Sequence, residues 1–245
     1  MELADLELER IVKNLADIIS GYYVNNIFSV DGNTVLLRLG HPVKPPERLI
    51  LSAGRGLWRT DVDLQQETLT SFVRNLRREI PRLRVEGISH PRGERIARID
   101  FSGEFKRSLI GEFFGEGNMI LTDGEGRILS LLRPLKVRHR ELRPGVTYAL
   151  PPTRARCAED ITREDLEPLQ SSDLPVSRWV GRNLSLPRKY VHEILGRSHI
   201  PPDAVGSQLT PEDLDRLYGT VRLTVQMITD PTAIPFLLTK NGEMR

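Results

Sequence analysis

Three arginines in one short stretch, Arg74, Arg77 and Arg78, are spaced by three and four residues, so a helix would set them on one face. Arg82 and Arg84 follow just beyond Pro81. A second group, Arg133, Lys136, Arg138, His139, Arg140 and Arg143, comes after a strand-like stretch, and only Glu79 and Glu141 intersperse acid among these clusters. Guanidinium groups at this density suit one chemistry above others. Their flat five-donor fork matches phosphate oxygens, and each phosphate they neutralise releases condensed counterions. Signals for bond-making chemistry are missing: there is no glycine-rich phosphate loop with its Lys-Ser/Thr, no GxSxG elbow, no HExxH and no carboxylate pair at metal-ligand spacing. The five histidines, His41, His90, His139, His192 and His199, fall in different predicted elements and read as surface or phosphate-contacting groups rather than metal ligands. A single cysteine, Cys157, excludes a disulfide framework, a cysteine-rich zinc site and a two-cysteine redox motif. The expectation is a binding protein, not an enzyme, with no cofactor, no metal and no small-molecule substrate.

The formal net charge of +2 hides a strong asymmetry. Residues 70–110 hold ten Lys/Arg against five Asp/Glu, residues 127–156 hold eight against one, and residues 157–175 reverse to six acids against one base. The cationic middle fits a polyanion. An arginine-rich solvated surface is the competing reading of the same counts, and a protein-binding scaffold using the acidic 157–175 stretch is a third. With aromatics at only 6%, stacking successive bases of a single strand is disfavoured, and recognition of folded RNA by shape and backbone fits better. Hydrophobic residues make up 39% of the 245, enough for a core, yet no apolar run approaches a membrane span. The acid-rich opening Met1–Arg10 lacks the features of a signal peptide. A cytoplasmic protein with no membrane partner is expected.

The elements that must position these cations follow from periodicity. Leu8, Ile11, Val12, Leu15, Ile18 and Ile19 predict an amphipathic opening helix over 4–20, stopped by Gly21. Tyr22–Val30 and Thr34–Leu39 around Asp31-Gly32-Asn33 predict a hairpin. Strands are expected at Arg48–Ala53, Gly56–Thr60, Arg84–His90, Arg95–Phe101, Phe105–Phe113, Asn118–Thr122 and Arg127–Leu132, and a helix over Leu64–Ile80 ended by Pro81. Many antiparallel strands with flanking helices give an α+β fold, an antiparallel β-sandwich flanked by helices, over residues 1–152. The Pro/Gly-rich stretch from Arg143 to Pro152 predicts a boundary. Residues 153–230 then read as a small helical domain with helices near Thr162–Leu169, Val176–Leu184, Pro187–Arg197 and Thr210–Thr229. Residues 231–245 read as the start of a strand returning to the first domain, with its hairpin partner missing, as in a truncated chain.

One long string is more specific than any composition. Gly111-Glu112-Phe113-Phe114-Gly115-Glu116-Gly117-Asn118-Met119-Ile120-Leu121-Thr122-Asp123, followed by Gly126-Arg127-Ile128-Leu129, resembles the central stretch of the NFACT family. Ile18–Phe28, Ala53–Thr60, Arg92–Phe101 and Arg143–Tyr148 into Pro151-Pro152 agree in order and spacing. The resemblance covers most of residues 1–152, and the helical region is similar to the helix-two-turn-helix module that follows in that family. It implies a ribosome quality control factor whose partners are tRNA and large ribosomal subunits carrying peptidyl-tRNA. Such factors recruit charged tRNA for template-free C-terminal tailing, with peptide bonds made at the ribosome's own centre. The family's Asp-Arg pair aligns with Glu94-Arg95 and its first-helix aspartate with Glu7, each acid longer by one methylene. The RNA-facing residues expected are Glu7, Arg55, Arg59, Arg74, Arg77, Arg78, Glu94, Arg95, Arg133, Lys136, Arg138 and Arg140. The scaffold also resembles formamidopyrimidine-DNA glycosylases, so a DNA-lesion-binding protein is the alternative. Those enzymes use a proline amine next to the initiator methionine and a cysteine zinc finger, and this chain begins Met1-Glu2-Leu3 with one cysteine.

Overall fold

The computed structural model describes residues 3–65, 69–152 and 156–230, with Thr232 and the backbone of 239–240 and 243–244. The opening helix α1 (Asp5–Ile19) buries Leu8, Val12, Leu15 and Ile19, the stripe its three- and four-residue spacing dictates. The chain then runs through β1 (Tyr23–Asp31), β2 (Thr34–Gly40), β3 (Glu47–Ser52) and β4 (Gly56–Arg59), crosses α2 (Ser71–Glu79), and continues through β5 (Arg84–Ser89), β6 (Ile96–Ser102), β7 (Arg107–Glu112), β8 (Asn118–Asp123) and β9 (Ile128–Leu131). All nine strands pair antiparallel in the order β4-β3-β2-β1-β5-β6-β7-β8-β9.

Two meanders, β1–β4 and β5–β9, meet at a narrow seam. Their only ladder pair is Tyr23 with Arg84, reinforced by Val85 N–H donating to the Tyr22 carbonyl at 2.7 Å and Val24 N–H to the Leu83 carbonyl at 3.0 Å. Strand side chains alternate, so odd-numbered residues of both meanders share one core: Val35, Leu37, Leu49 and Leu51 from the first, Ile99, Phe101, Leu109 and Leu121 from the second. Helices α1 and α2 pack into the same cluster through Leu15, Phe72 and Leu76. On the opposite face of the second meander, Ile96, Ile110, Ile120, Ile128 and Leu142 form a smaller cluster. The α+β fold expected from the alternation is the one observed.

Differences from the periodicity reading are local. Helix α2 starts at Ser71, where Thr70 accepts a hydrogen bond from Val73 N–H at 3.2 Å and caps it. A further hairpin, β10 (Leu135–Val137) and β11 (Arg140–Leu142), lies in a stretch not expected to be strand. The chain divides into two compact units, Met1–Cys157 with Gly181–Pro187, and Ala158–Val180 with Arg188–Arg245. The short helix expected near Thr162–Leu169 is a 3₁₀ helix over Glu164–Ser171 with Pro168 inside it. Helices α3 (Val176–Asn183), α4 (Arg188–Arg197) and α5 (Pro211–Thr229) fall where expected, α5 opening with a reciprocal Thr210–Asp213 capping box. Thr239–Lys240 pairs antiparallel with Glu243–Met244. Residues 234–238 of the expected terminal strand lie outside the described residues.

The Gly115–Gly117 turn approaches the β3–β4 turn closely. Gly117 has φ +69°, and a Cβ there would sit 1.7 Å from the Gly54 nitrogen. Gly117→Ala is expected to cost more than the roughly 1–2 kcal/mol of a left-handed backbone alone, because backbone rather than a yielding side chain blocks the methyl. Urea denaturation checks this, and a near-wild-type midpoint would contradict it.

Candidate nucleic-acid interface

A buried charge centre lies at the end of β7. Glu112 and Arg140 form an ion pair with side chains only 4% and 3% exposed. The Tyr148 hydroxyl donates to Glu112 Oε1 at 3.0 Å, Arg140 Nε donates to the Ala149 carbonyl at 2.8 Å, and the guanidinium stands 5.2 Å over the Tyr148 ring. Burial and the neighbouring Glu112 carboxylate push the Tyr148 hydroxyl far above the usual phenol range. The segment carrying Tyr148 is held by its own backbone bonds: Tyr148 N–H to the Gly126 carbonyl, and Gly145 N–H to the Ile128 carbonyl, both at 2.8 Å.

Glu94 and Arg95 stand in the turn just before β6 rather than within that strand. His90 Nε2 bonds the Glu94 carbonyl at 2.6 Å, and Phe113 N–H donates to the Arg95 carbonyl at 2.8 Å, so both ends of the pair are fixed. Partial burial raises the Glu94 pKa. Asp5 and Glu112 add to the rise, and Arg140 and Arg95 oppose it. Asp5, which is buried, is a first-helix acid in electrostatic reach of Glu94. Glu7 accepts from Ala4 N–H at 2.7 Å and serves as a helix cap. Asp5 was missed, yet it shares the stripe of Leu8, Val12, Leu15 and Ile19, and an acid on an apolar stripe is the signal that would have found it.

The expected cations separate into two populations. Arg140 is buried and does not face solvent, because its partner Glu112 lies beneath it. Arg77 is half-buried, donating to the Ile27 carbonyl at 2.6 Å beside the Phe28 ring, so Arg74, Arg77 and Arg78 do not form one free face. Arg133 is half-buried and donates to the Gly117 carbonyl at 3.1 Å and to Asn33 Oδ1. Arg59 is exposed but doubly hydrogen-bonded to Glu47 at 2.7 and 2.8 Å. Arg74 is exposed and donates to the Leu69 carbonyl, and Arg78 is exposed beside Glu79. Arg55, Lys136 and Arg138 are exposed. Among the described residues no group of three or more His, Cys, Asp or Glu could hold a metal ion, and no helix is long and apolar enough to cross a membrane.

An antiparallel α+β unit with an acid–arginine pair at the rim of its sheet, followed by a helical unit, defines the class of module. The chain matches the NFACT N-terminal and middle domains over residues 5–245, and it belongs to the NFACT family. It is 30% identical over 135 residues to ribosome quality control complex subunit 2 of Schizosaccharomyces pombe, covering 52% of this chain and 13% of that protein. It is 22% identical over 234 residues to the archaeal Rqc2 homolog aRqcH of Methanocaldococcus jannaschii, covering 89% and 34%. The chain thus spans at most about a third of the length of these two relatives. The N-terminal part of the fibronectin/fibrinogen-binding protein from Streptococcus suis shares the fold, with a TM-score of 0.71 at 18% identity over 92% of this chain and 85% of that one.

Two expectations follow from the charge centre. Arg140→Ala leaves Glu112 buried and unpaired and is expected to cost about 3–5 kcal/mol in urea denaturation. For Glu94 the sign is opposite. Its raised pKa means the folded chain holds a proton that the unfolded chain releases, so stability falls as pH rises from the ordinary carboxylate value through the raised one. Glu94→Gln is expected to be more stable than the wild type at pH 7, with the difference vanishing below about pH 4. An unchanged or lower midpoint at pH 7 would refute it.

Proposed function

We propose that this chain is the tRNA- and large-subunit-facing part of a ribosome quality control factor, which recruits charged tRNA to obstructed large subunits for template-free C-terminal tailing of stalled chains. Membership of the NFACT family carries the reading, since relatives within it are named as ribosome quality control subunits. In this reading the chain is a cytoplasmic binding protein and not an enzyme, because the ribosome supplies the peptidyl-transfer chemistry. The exposed cations Arg55, Arg74, Arg78, Lys136 and Arg138 support it as phosphate contacts. Glu94 and Arg95 offer an acceptor and a donor side by side, a combination suited to a ribose 2′-hydroxyl or base edge next to a phosphate.

The test is a binding competition across a salt series between folded tRNA and an abasic-site DNA duplex of similar charge. Preference for tRNA, with log affinity falling linearly in log salt, is expected. Preference for the lesion duplex would replace this reading with lesion binding. Co-sedimentation should favour large subunits carrying peptidyl-tRNA over empty ones, and equal partition would remove the quality-control role.

A further inference from the structure

We infer that the β10–β11 hairpin is a rigid arm that docks against the backbone of base-paired RNA, a site that deepens the RNA-binding reading and rests on it. The ladder has three pairs, Leu135 with Leu142, Lys136 with Glu141 and Val137 with Arg140, closed by the two-residue turn Arg138-His139. A two-stranded hairpin this short does not hold its shape in water by itself. It is held here by its second strand. Leu142 is buried in the cluster of Ile96, Ile110, Ile120 and Ile128, and Arg140 is locked onto Glu112 and the Ala149 carbonyl. The first strand and the turn carry none of that burial: residues 135–139 are all exposed, Val137 at 53%.

Several exposed cations of this unit are answered by acids, and those at the tip are not. Arg59 is answered by Glu47, Arg98 by Asp100, Arg107 by Glu79 and Arg143 by Glu141. Among the described residues no acid forms an ion pair with Lys136 or Arg138, and Glu141, opposite Lys136 in the ladder, is hydrogen-bonded to Arg143 at 2.9 Å. A firmly rooted ribbon ending in two uncompensated cations and a histidine is built to meet negative charge at a distance from the sheet. Lys136 lies in the strand and Arg138 in the turn, two residues and so at most roughly 7 Å of backbone apart, so they can meet neighbouring phosphates along one groove edge. The tip has no Phe, Tyr or Trp on which successive unpaired bases would stack, which disfavours a single strand. The backbone and 2′-hydroxyls lining the shallow groove of an RNA helix suit it instead.

The experiment compares the full chain with a Lys136→Ala/Arg138→Ala variant, both positions being exposed and free of packing. Fluorescence anisotropy follows binding to folded tRNA and to poly-uridine from low to moderate salt. With tRNA, the slope of log affinity against log salt should flatten by about 1.4–1.8 in the variant, at roughly 0.7–0.9 per phosphate, and affinity at about 0.1 M salt should fall tenfold or more. A photo-crosslinking amino acid in place of Val137 should capture tRNA. Wild-type protein without salt-dependent tRNA binding would overturn both the RNA-binding reading and the arm. Normal wild-type binding with an unchanged slope in the variant, or no crosslink from position 137, would overturn the arm alone. An equal loss on poly-uridine would overturn its preference for base-paired RNA.

Discussion

The buried Glu112–Arg140 pair is the constraint on which the rest of the first unit's rim depends. Withdrawing two such charges from water costs several kcal/mol for each ion, and their attraction offsets this only when the remaining donors and acceptors are also satisfied. Here Tyr148 and the Ala149 carbonyl meet that condition. Two separate pieces of chain are thereby fixed to the end of β7: the start of β11 and the 145–149 segment alongside β9. The string from Gly111 to Asp123 that carries the family resemblance holds both this acid and the glycine turn packed on Gly54. Its specificity reflects contacts made on both sides of the backbone.

The arginine content overstates the surface available to a polyanion. Arg77, Arg133 and Arg140 are used as internal braces that reach carbonyls or acids far along the chain, from Arg77 to Ile27 and from Arg140 to Glu112. The guanidinium fork suits this role because it satisfies several acceptors at once while its flat face covers apolar surface, as over Phe28 and Tyr148. Exposed pairs such as Arg98 with Asp100 contribute about 0–1 kcal/mol each, and their main effect is to cancel charge that would otherwise reach solvent. The electrostatic footprint is set by the exposed cations left without a nearby acid, not by the total of 29 arginines.

Sheet alternation and helix spacing made most of the fold legible. The odd-numbered apolar residues of β2, β3, β6 and β8, the Thr210 cap and the stop at Pro81 are local signals that the tertiary structure preserved. The β10–β11 hairpin was not legible, because strand prediction relies on one buried face and its first strand has none. The burial of Arg140 depends on an acid 28 residues earlier, which no local window contains. The burial of Asp5 was legible in principle, because the three-four spacing that buries Leu8 and Val12 carries it inward with them.

Stability alone does not account for an ion pair in this place. A well-packed apolar pair of the same volume would often do as well or better, whereas losing one charged partner is severe. What an apolar pair lacks is direction: a carboxylate and a guanidinium accept each other in few orientations, so they set the position of whatever is attached to them. Glu112 lies on the strand that neighbours Glu94 and Arg95 through the Phe113–Arg95 backbone bond, and Arg140 begins the strand that roots the exposed arm. The buried pair roots the cationic tip, and the backbone bond next to it holds the acid–arginine pair, both against the same sheet. In the RNA-binding reading proposed above, engaging a large, shaped polyanion at more than one point would use that fixed spacing, since each contact made by a preorganised group loses less conformational entropy on binding.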